Sequence, residues 1–382
     1  MSNTQLTNAA RTEERIQQVE HDLQPFGDTT HVLGSRHLSE RMRYYGVPGV
    51  SIAVINDSAL DWIRGYGVRD IDGDAPVTPQ TCFPAASISK PLVAMAVLRL
   101  VQEGVLDLDS NVNHYLTSWK LPPSPHTQDR KVTLRSLLSH GAGTTLYGFW
   151  GYRPHAPIPT LLQVLDGLPP ANSVPVRVDV TPGSRWRYSS GGYCIVEQLL
   201  VDVLDTSFPD ALQALVLAPL GMERSAFCAS PTPALAANMA HGHDPTGASI
   251  PDKWRVHPEL GAIGFWSTPR DIAKFVIEVQ HSQQGHSNKV LSTEMTRHML
   301  TVQISNWALG PAIDGEGHAA RFAHGGAAIG FRCYLIGYCH RGQGAIVMTN
   351  GDRGDHLCVK ILHSIARAYA WPDYYHYLDQ SV

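Results

Sequence analysis

The sequence has no stretch approaching the roughly 18–20 uninterrupted apolar residues of a membrane-spanning helix, so no membrane is expected as a partner. Its first residues, MSNTQLTNAARTEERIQQVEHDLQ, hold no apolar core of signal-peptide length and no small-residue cleavage site after one. A cytoplasmic protein is therefore expected. There is no run of Lys or Arg, and the net charge is −4, so no nucleic acid is expected either. Cysteines are few, at 82, 194, 228, 333, 339 and 358, and no two form a CxxC pair. Neither a disulfide frame nor a thiolate zinc site follows, and they read as buried or indifferent thiols. Despite 19 histidines there is no HExxH, and His241-Gly242-His243 has no carboxylate arrangement typical of zinc. No metal and no cofactor are expected. The absence of Gly-x-Ser-x-Gly argues against an α/β-hydrolase, and there is no internal repeat or low-complexity tract.

What remains is the composition of an ordinary globular enzyme, 43% hydrophobic and 17% charged over 382 residues, enough for a large core. The first 30 residues are polar and read as an N-terminal extension, a loosely held helix or tail. Residues His31 to Tyr45 have the spacing of an amphipathic helix stopped by Gly46 and Pro48. Gly49 to Ile55 is β-branched and ends at Asn56-Asp57, and Trp62 to Val68 reads as its hairpin partner. Helical spacing follows at Pro91–Val105, Leu134–Ser139, Val196–Leu204 and Phe208–Leu217, separated by proline-rich connections. Strand signals return at Arg332–Tyr338 and Gly344–Thr349, and Asp355–Tyr369 closes as an amphipathic helix. This order predicts an α/β sheet with a helical domain inserted into it. The expected division is residues 1–85 with 265–382 for the sheet, and 86–264 for the helical part.

Within this frame, Ser87-Ile88-Ser89-Lys90 opens a helix, and residues three apart on a helix share a face. Serine is a poor nucleophile without an adjacent base. A neutral lysine amine can serve, provided burial lowers its pKa by roughly 3 units from the usual value. Alone the motif is weak, arising about once by chance in such a chain, and its plainer reading is an exposed helix start. A second cluster, Tyr188-Ser189-Ser190-Gly191-Gly192, follows Pro182-Gly183. A phenol held by cations sits close to ionisation, so Tyr188 is a candidate proton carrier, and Ser190 offers a hydroxyl to orient Lys90 or a substrate amide. A turn with a half-buried tyrosine is the plainer alternative. A third is His324-Gly325-Gly326-Ala327, where glycines let backbone approach a ligand and the Ala327 N–H can join that of Ser87 in an oxyanion hole. A glycine-rich turn with an incidental histidine is the plainer reading there.

Together, Ser87-x-x-Lys90, Tyr188-x-Ser190 and His324-x-Gly326 resemble, in order and spacing, the motifs of the penicillin-recognising serine enzymes: β-lactamases, DD-peptidases and related esterases. The class C β-lactamase branch is the most similar. Leu137-Leu138-Ser139-His140-Gly141-Ala142-Gly143 resembles its Leu-Leu-Ser-His-Thr-Ser-Gly segment, and Gly264–Ile272 and Val347–Asp352 resemble other recurring stretches. The resemblance covers roughly residues 35–372. It implies an α+β fold, an antiparallel sheet flanked by helices with a mostly helical second domain and the site between them. It also implies that Ser87 is acylated, that Lys90 and Tyr188 manage its proton, that Ser190 bridges Lys90 and substrate, and that His324 to Gly326 line the cleft.

Three departures bear on substrate. Ser190 replaces the usual asparagine, His324 stands where many β-lactamases have lysine, and Gly141-Ala142-Gly143 replaces Thr-Ser-Gly. The cation that receives an antibiotic carboxylate is thereby weakened or made pH-dependent, so an ester or small amide is the expected substrate rather than a β-lactam. The resemblance extends to stand-alone transacylases and peptide cyclases of secondary metabolism, which take (thio)ester donors. A carrier protein or a second copy of the chain thus stays open as a partner. The aromatics Tyr147, Phe149, Trp150 and Tyr152 either line an acyl pocket or pack internally. A catalytically retired scaffold is the non-enzyme alternative. Against it stands a lysine whose charge is costly to bury.

Overall fold

In the computed structural model, residues 3–23 and 37–374 are described. Helix α1 (Asn3–His21) precedes α2 (Leu38–Tyr45), which ends at Gly46 in the left-handed region with φ 62°. Strand β1 (Gly49–Asn56) turns through Asp57 and Ser58 into β2 (Ala59–Gly67). Both turn residues have positive φ, 53° and 56°, as a two-residue type I′ hairpin requires. Next come β3 (Phe83–Ala86), α3 (Ser89–Gln102), α4 (Leu134–Leu138), α5 (Leu161–Asp166), α6 (Ser190–Leu204), α7 (Phe208–Leu212), β4 (Ala226–Phe227), α8 (Pro233–Ala236) and α9 (Leu260–Ile263). Strand β5 (Phe265–Ser267), α10 (Pro269–Gln283) and α11 (Thr293–Met299) lead to β6 (Ala312–Asp314), β7 (Arg321–Ala328), β8 (Phe331–Tyr338), β9 (Gly344–Thr349) and α12 (Gly354–Ala368).

The main sheet has the order β2-β1-β9-β8-β7-β6, with every pairing antiparallel. Helices cover both faces, which explains why β1 is buried on both sides from Gly49 to Ile55 and is mostly apolar, with Ser51 its one hydroxyl. Its side chains still alternate by position. Val50, Ile52 and Val54 join the cluster formed with α1, α2 and α12, whereas Ala53 and Ile55 join the one formed with α3 and α10. That second cluster runs on into α4, α6 and α7, so segments 1–85, 86–264 and 265–382 all contribute to one apolar core. A small second sheet, β3-β5-β4, links the start of α3 to residues 226–227 and 265–267.

Three local expectations change. The N-terminal segment is not loosely held: Ile16, Val19 and Leu23 are buried, Ser364 Oγ donates to the Val19 carbonyl at 3.1 Å, and Arg367 pairs with Asp22 at 2.8 Å. A sparse apolar stripe amid polar residues suffices once α12 supplies the partner face. The helix expected from His31 begins at Leu38, and residues 31–36 lie outside the described ones. Finally, His324-Gly325-Gly326-Ala327 is no turn but part of β7. Among the described residues, no helix is long and apolar enough to cross a membrane.

Candidate active site

Ser87 occupies the sharp turn between β3 and α3. Ala86 before it is held in the left-handed region at φ 50°, a strained state for a residue with a Cβ. The turn is tied by Ile88 N–H to Ala85 O at 3.1 Å, and by Ser89, whose hydroxyl donates to Ala86 O at 2.6 Å and accepts from Phe265 N–H at 3.1 Å. These bonds leave Ser87 half-buried at the mouth of α3. One turn on, Lys90 is fully buried, and its Nζ donates to Ser87 Oγ at 3.1 Å and to the Ala262 carbonyl of α9 at 2.8 Å. Burial pushes the Lys90 amine down to about 7, outweighing the opposing effect of Cys194.

Tyr188 stands just before α6, its hydroxyl hydrogen-bonded to Ser87. Its ring centroid lies 5.1 Å from Lys90 Nζ. The expectation of a phenol near ionisation is corrected here. Burial holds Tyr188 well above the ordinary phenol value, outweighing the hydrogen bond with Ser87, so it is protonated at neutral pH. Ser190 is the first residue of α6 and lines the cleft, but among the described residues no hydrogen bond joins it to Lys90.

On the other wall, His324 Nδ1–H donates to Gly325 O at 2.6 Å. Burial, followed by the Lys90 charge, pushes His324 down to about 3, so its imidazole is neutral throughout the physiological range rather than a titrating cation. A Cβ on Gly326 would lie 2.2 Å from Ala85 O. Glycine at that position is what lets β7 lie against the residues leading to Ser87. The resulting cleft of about 490 Å³ is lined by Ser87, Tyr188 and Ser190 on one side and by His324, Gly325, Gly326 and Ala327 on the other. Lys90 lies beneath it. A larger hollow of about 840 Å³, bordered by Met42, Tyr66 and Gly247, touches none of these residues.

Pattern reading leaves out Trp186, Trp307 and Ile263, which also line the cleft, and the Ala262 carbonyl that holds Lys90. The two indoles lie 5.4 Å apart. Neither tryptophan sits in a motif, so only the fold reveals them. Of the aromatic run, Tyr147 and Phe149 line the cleft, Tyr152 is buried and bonded to the Asn172 N–H at 3.0 Å, and Trp150 is exposed. No group of three or more His, Cys, Asp and Glu among the described residues is arranged to hold a metal ion.

The sequence pattern of the beta-lactamase family matches residues 35–368. The chain belongs to the beta-lactamase family. Its relatives in this family include Esterase EstB of Burkholderia gladioli, 30% identical over 207 residues, which are 49% of this chain and 49% of that protein. Thus the chain spans about half the length of the curated relatives it matches. Among solved structures, EstCE1, described as a hydrolase with promiscuous acyltransferase activity, superposes with a TM-score of 0.72 at 17% identity, covering 94% of this chain and 99% of that one. The octameric penicillin-binding protein homologue of Pyrococcus abyssi gives 0.68 at 23% identity, covering 87% and 76%. At such identities the likeness is one of fold. The fold is the β-lactamase and transpeptidase type, an antiparallel sheet flanked by helices.

Proposed function

We propose that this protein is a serine hydrolase or acyltransferase that works through an acyl-Ser87 intermediate on an ester or small amide, with esterase activity as the leading reading. The observation that carries it is the Lys90 Nζ to Ser87 Oγ bond of 3.1 Å, made by a fully buried amine lowered to about 7. In this reading neutral Lys90 takes the hydroxyl proton as Oγ attacks the acyl carbonyl. The carbonyl oxygen becomes an oxyanion held by the Ser87 and Ala327 N–H groups. As the tetrahedral species collapses, the C–O or C–N bond breaks, and the leaving group takes a proton relayed through Tyr188 from Lys90. Water or another acceptor then gives its proton to Lys90 and attacks the acyl carbon, and as the C–Oγ bond breaks Lys90 returns that proton to Ser87 Oγ, which restores the free enzyme.

A neutral His324 is not itself a fixed cation for a carboxylate, Arg332 on the same wall is paired with Asp352 at 3.0 Å, and Ser190 provides no amide to hold a peptide-like side chain. Both favour esters over β-lactams, and the kinship with Esterase EstB supports the same preference. Transfer to a bound alcohol or amine, from an ester or carrier-borne thioester, is the second reading. The rings of Tyr147, Phe149, Trp186 and Trp307 favour it because they offer an apolar surface on which an organic acceptor can compete with water, and EstCE1 is a precedent in this fold. We also propose that residues 86–264 act as an inserted unit facing a sheet unit of 1–85 and 265–382. Ser87 and Tyr188 then face His324 to Ala327 across the cleft.

Intact-protein mass spectrometry tests the reading, after a fluorophosphonate and, separately, p-nitrophenyl butyrate or penicillin G. The expected result is a single adduct with the fluorophosphonate and the butyrate ester, absent in Ser87→Ala. Failure of the folded protein to form any adduct would favour the retired scaffold. An adduct that survives Ser87→Ala would move the nucleophile elsewhere.

A further inference from the structure

The stretch Leu137 to Gly143 has no part in the chemistry above, yet one of its residues grips the Tyr188 segment at three points. His140 follows the end of α4, where Ser139 caps the helix, and takes the left-handed conformation with φ 60°. Glycine is usual at such a helix-ending position, because a Cβ there is strained. The unusual backbone turns both its carbonyl and its ring toward residues 187–189. The His140 carbonyl accepts from Arg187 N–H at 2.9 Å. Its Nδ1 accepts from Ser189 N–H at 3.1 Å. Between those bonds its ring packs against the Tyr188 ring, with centroids 4.2 Å apart and planes tilted by 34°.

The surroundings keep this grip in one state. His140 is only 2% exposed. Burial, followed by the charge of Lys90, holds the imidazole well below its ordinary pKa. Nδ1 must present a lone pair to the Ser189 N–H, so the neutral ring carries its proton on Nε2, which has no hydrogen-bond partner among the described residues. Trp307 meets the ring edge-on at 5.0 Å, and Tyr193 lies 5.5 Å away. Beside it, Gly183 N–H donates to Gly141 O at 2.7 Å, and Thr144 Oγ1 to Ser189 Oγ at 2.9 Å. The segments 141–145 and 183–189 are thus laced together, and the Tyr188 ring meets His140 at 4.2 Å, closer than Tyr147 at 5.0 Å or Trp307 at 5.8 Å.

We infer that His140 is a positioning residue, a clamp on residues 187–189 that aims the Tyr188 hydroxyl at Ser87. The inference rests on the acyl-Ser87 reading for its effect on rate, but not for its effect on structure. A displacement of about 1 Å at the reacting groups is worth on the order of 10²-fold in rate, so loss of the clamp falls on kcat rather than on substrate binding.

The telling variant is His140→Gly. Glycine accepts φ 60° without strain and keeps the carbonyl bond to Arg187, so the fold is retained while ring and Nδ1 are lost. With p-nitrophenyl butyrate, kcat should fall roughly tenfold or more while KM stays within about threefold. In a Tyr188→Phe background the same change should alter kcat by no more than about twofold, since the hydroxyl being aimed is already gone. Amide hydrogen exchange across 187–189 should quicken in His140→Gly, and His140→Asn, which tolerates the left-handed backbone and offers a side-chain acceptor, should recover part of both effects. An equal loss of kcat in both backgrounds would make His140 merely structural and overturn the inference. Unchanged exchange at 187–189, or faster exchange with unchanged kcat, would overturn it too. If the wild-type protein neither labels nor turns over ester, the acyl-Ser87 reading falls, and exchange alone then decides the clamp.

Discussion

Lys90 carries its amine into the protein with no carboxylate among its hydrogen-bond partners, only the Ser87 hydroxyl and the Ala262 carbonyl. An amine so placed is more basic in the unfolded chain, where its ordinary value is 10.5, than in the folded one, where it is about 7. The unfolded state therefore binds the extra proton between those values, and stability rises with pH across that window. Below about pH 7 the penalty is complete, and it disappears as pH climbs toward 10.5. Lys90→Met should consequently abolish acylation yet stabilise the fold by on the order of 1–4 kcal/mol at neutral pH. Urea unfolding should show this gain shrinking at pH 9 to 10; a gain that is flat with pH would mean that the amine is not the source. The same shift sets the activity profile. Because the neutral amine is the base, the rate of labelling by p-nitrophenyl butyrate should rise through about pH 7 and level off above it. His324 is already neutral well below that, and Tyr188 is still protonated, so neither adds a second limb between pH 5 and 9. A midpoint near 5 would implicate a carboxylate instead. Residue type and spacing, read together with the family resemblance, single out Ser87, Lys90 and Tyr188 as the candidates. The direction of the Tyr188 shift could not, because burial is a property of everything that packs around a ring.

The elements differ sharply in how plainly they are written. β1 and β9 are β-branched runs between turn residues, β8 is rich in aromatic and aliphatic residues, and α12 has a clean apolar stripe, so pattern alone finds them. β3 is Phe83-Pro84-Ala85-Ala86, a proline and two alanines, and only its pairing with β5 makes it a strand. α10 is passed over although Thr268 caps it and Pro269 stands in its first turn. α6 starts at Ser190 rather than Val196 because its two glycines are close-packing positions, not breakers. A Cβ on Gly191 would lie 2.6 Å from Thr145 O. The glycines of β7 mislead for the same reason. Gly326→Ala would press a methyl group to 2.2 Å from the Ala85 carbonyl, which belongs to backbone and has no freedom to rotate away. The two strands must then part, which in the proposed mechanism carries the Ala327 N–H away from the Ser87 N–H. Fluorophosphonate labelling of Ser87 should slow by roughly 10²-fold, the scale of losing one oxyanion donor, with little loss of secondary structure by circular dichroism. Labelling at the wild-type rate would remove Ala327 from the oxyanion hole.

Across the whole molecule, sheet at both ends with helices between was legible in the order of patterns, and the antiparallel pairing came with the family. The strand order was not written in any local stretch. β1 pairs with β2 across a two-residue turn, but its other neighbour is β9, from Val50 opposite Thr349 to Ile55 opposite Gly344. The Trp62 indole likewise donates to Tyr369 Oη at 2.9 Å, and the Gly49 N–H to Asn350 Oδ1 at 2.6 Å. Long-range pairings of this kind carry a large loop-closure entropy and form late. On the ribosome, then, the hairpin made from residues 49–67 must wait through most of the synthesis of the chain with one edge open. A chain stopped before β9 has no strand to place there, and should be captured by chaperones or precipitate, however completely its Ser87 motif has been made.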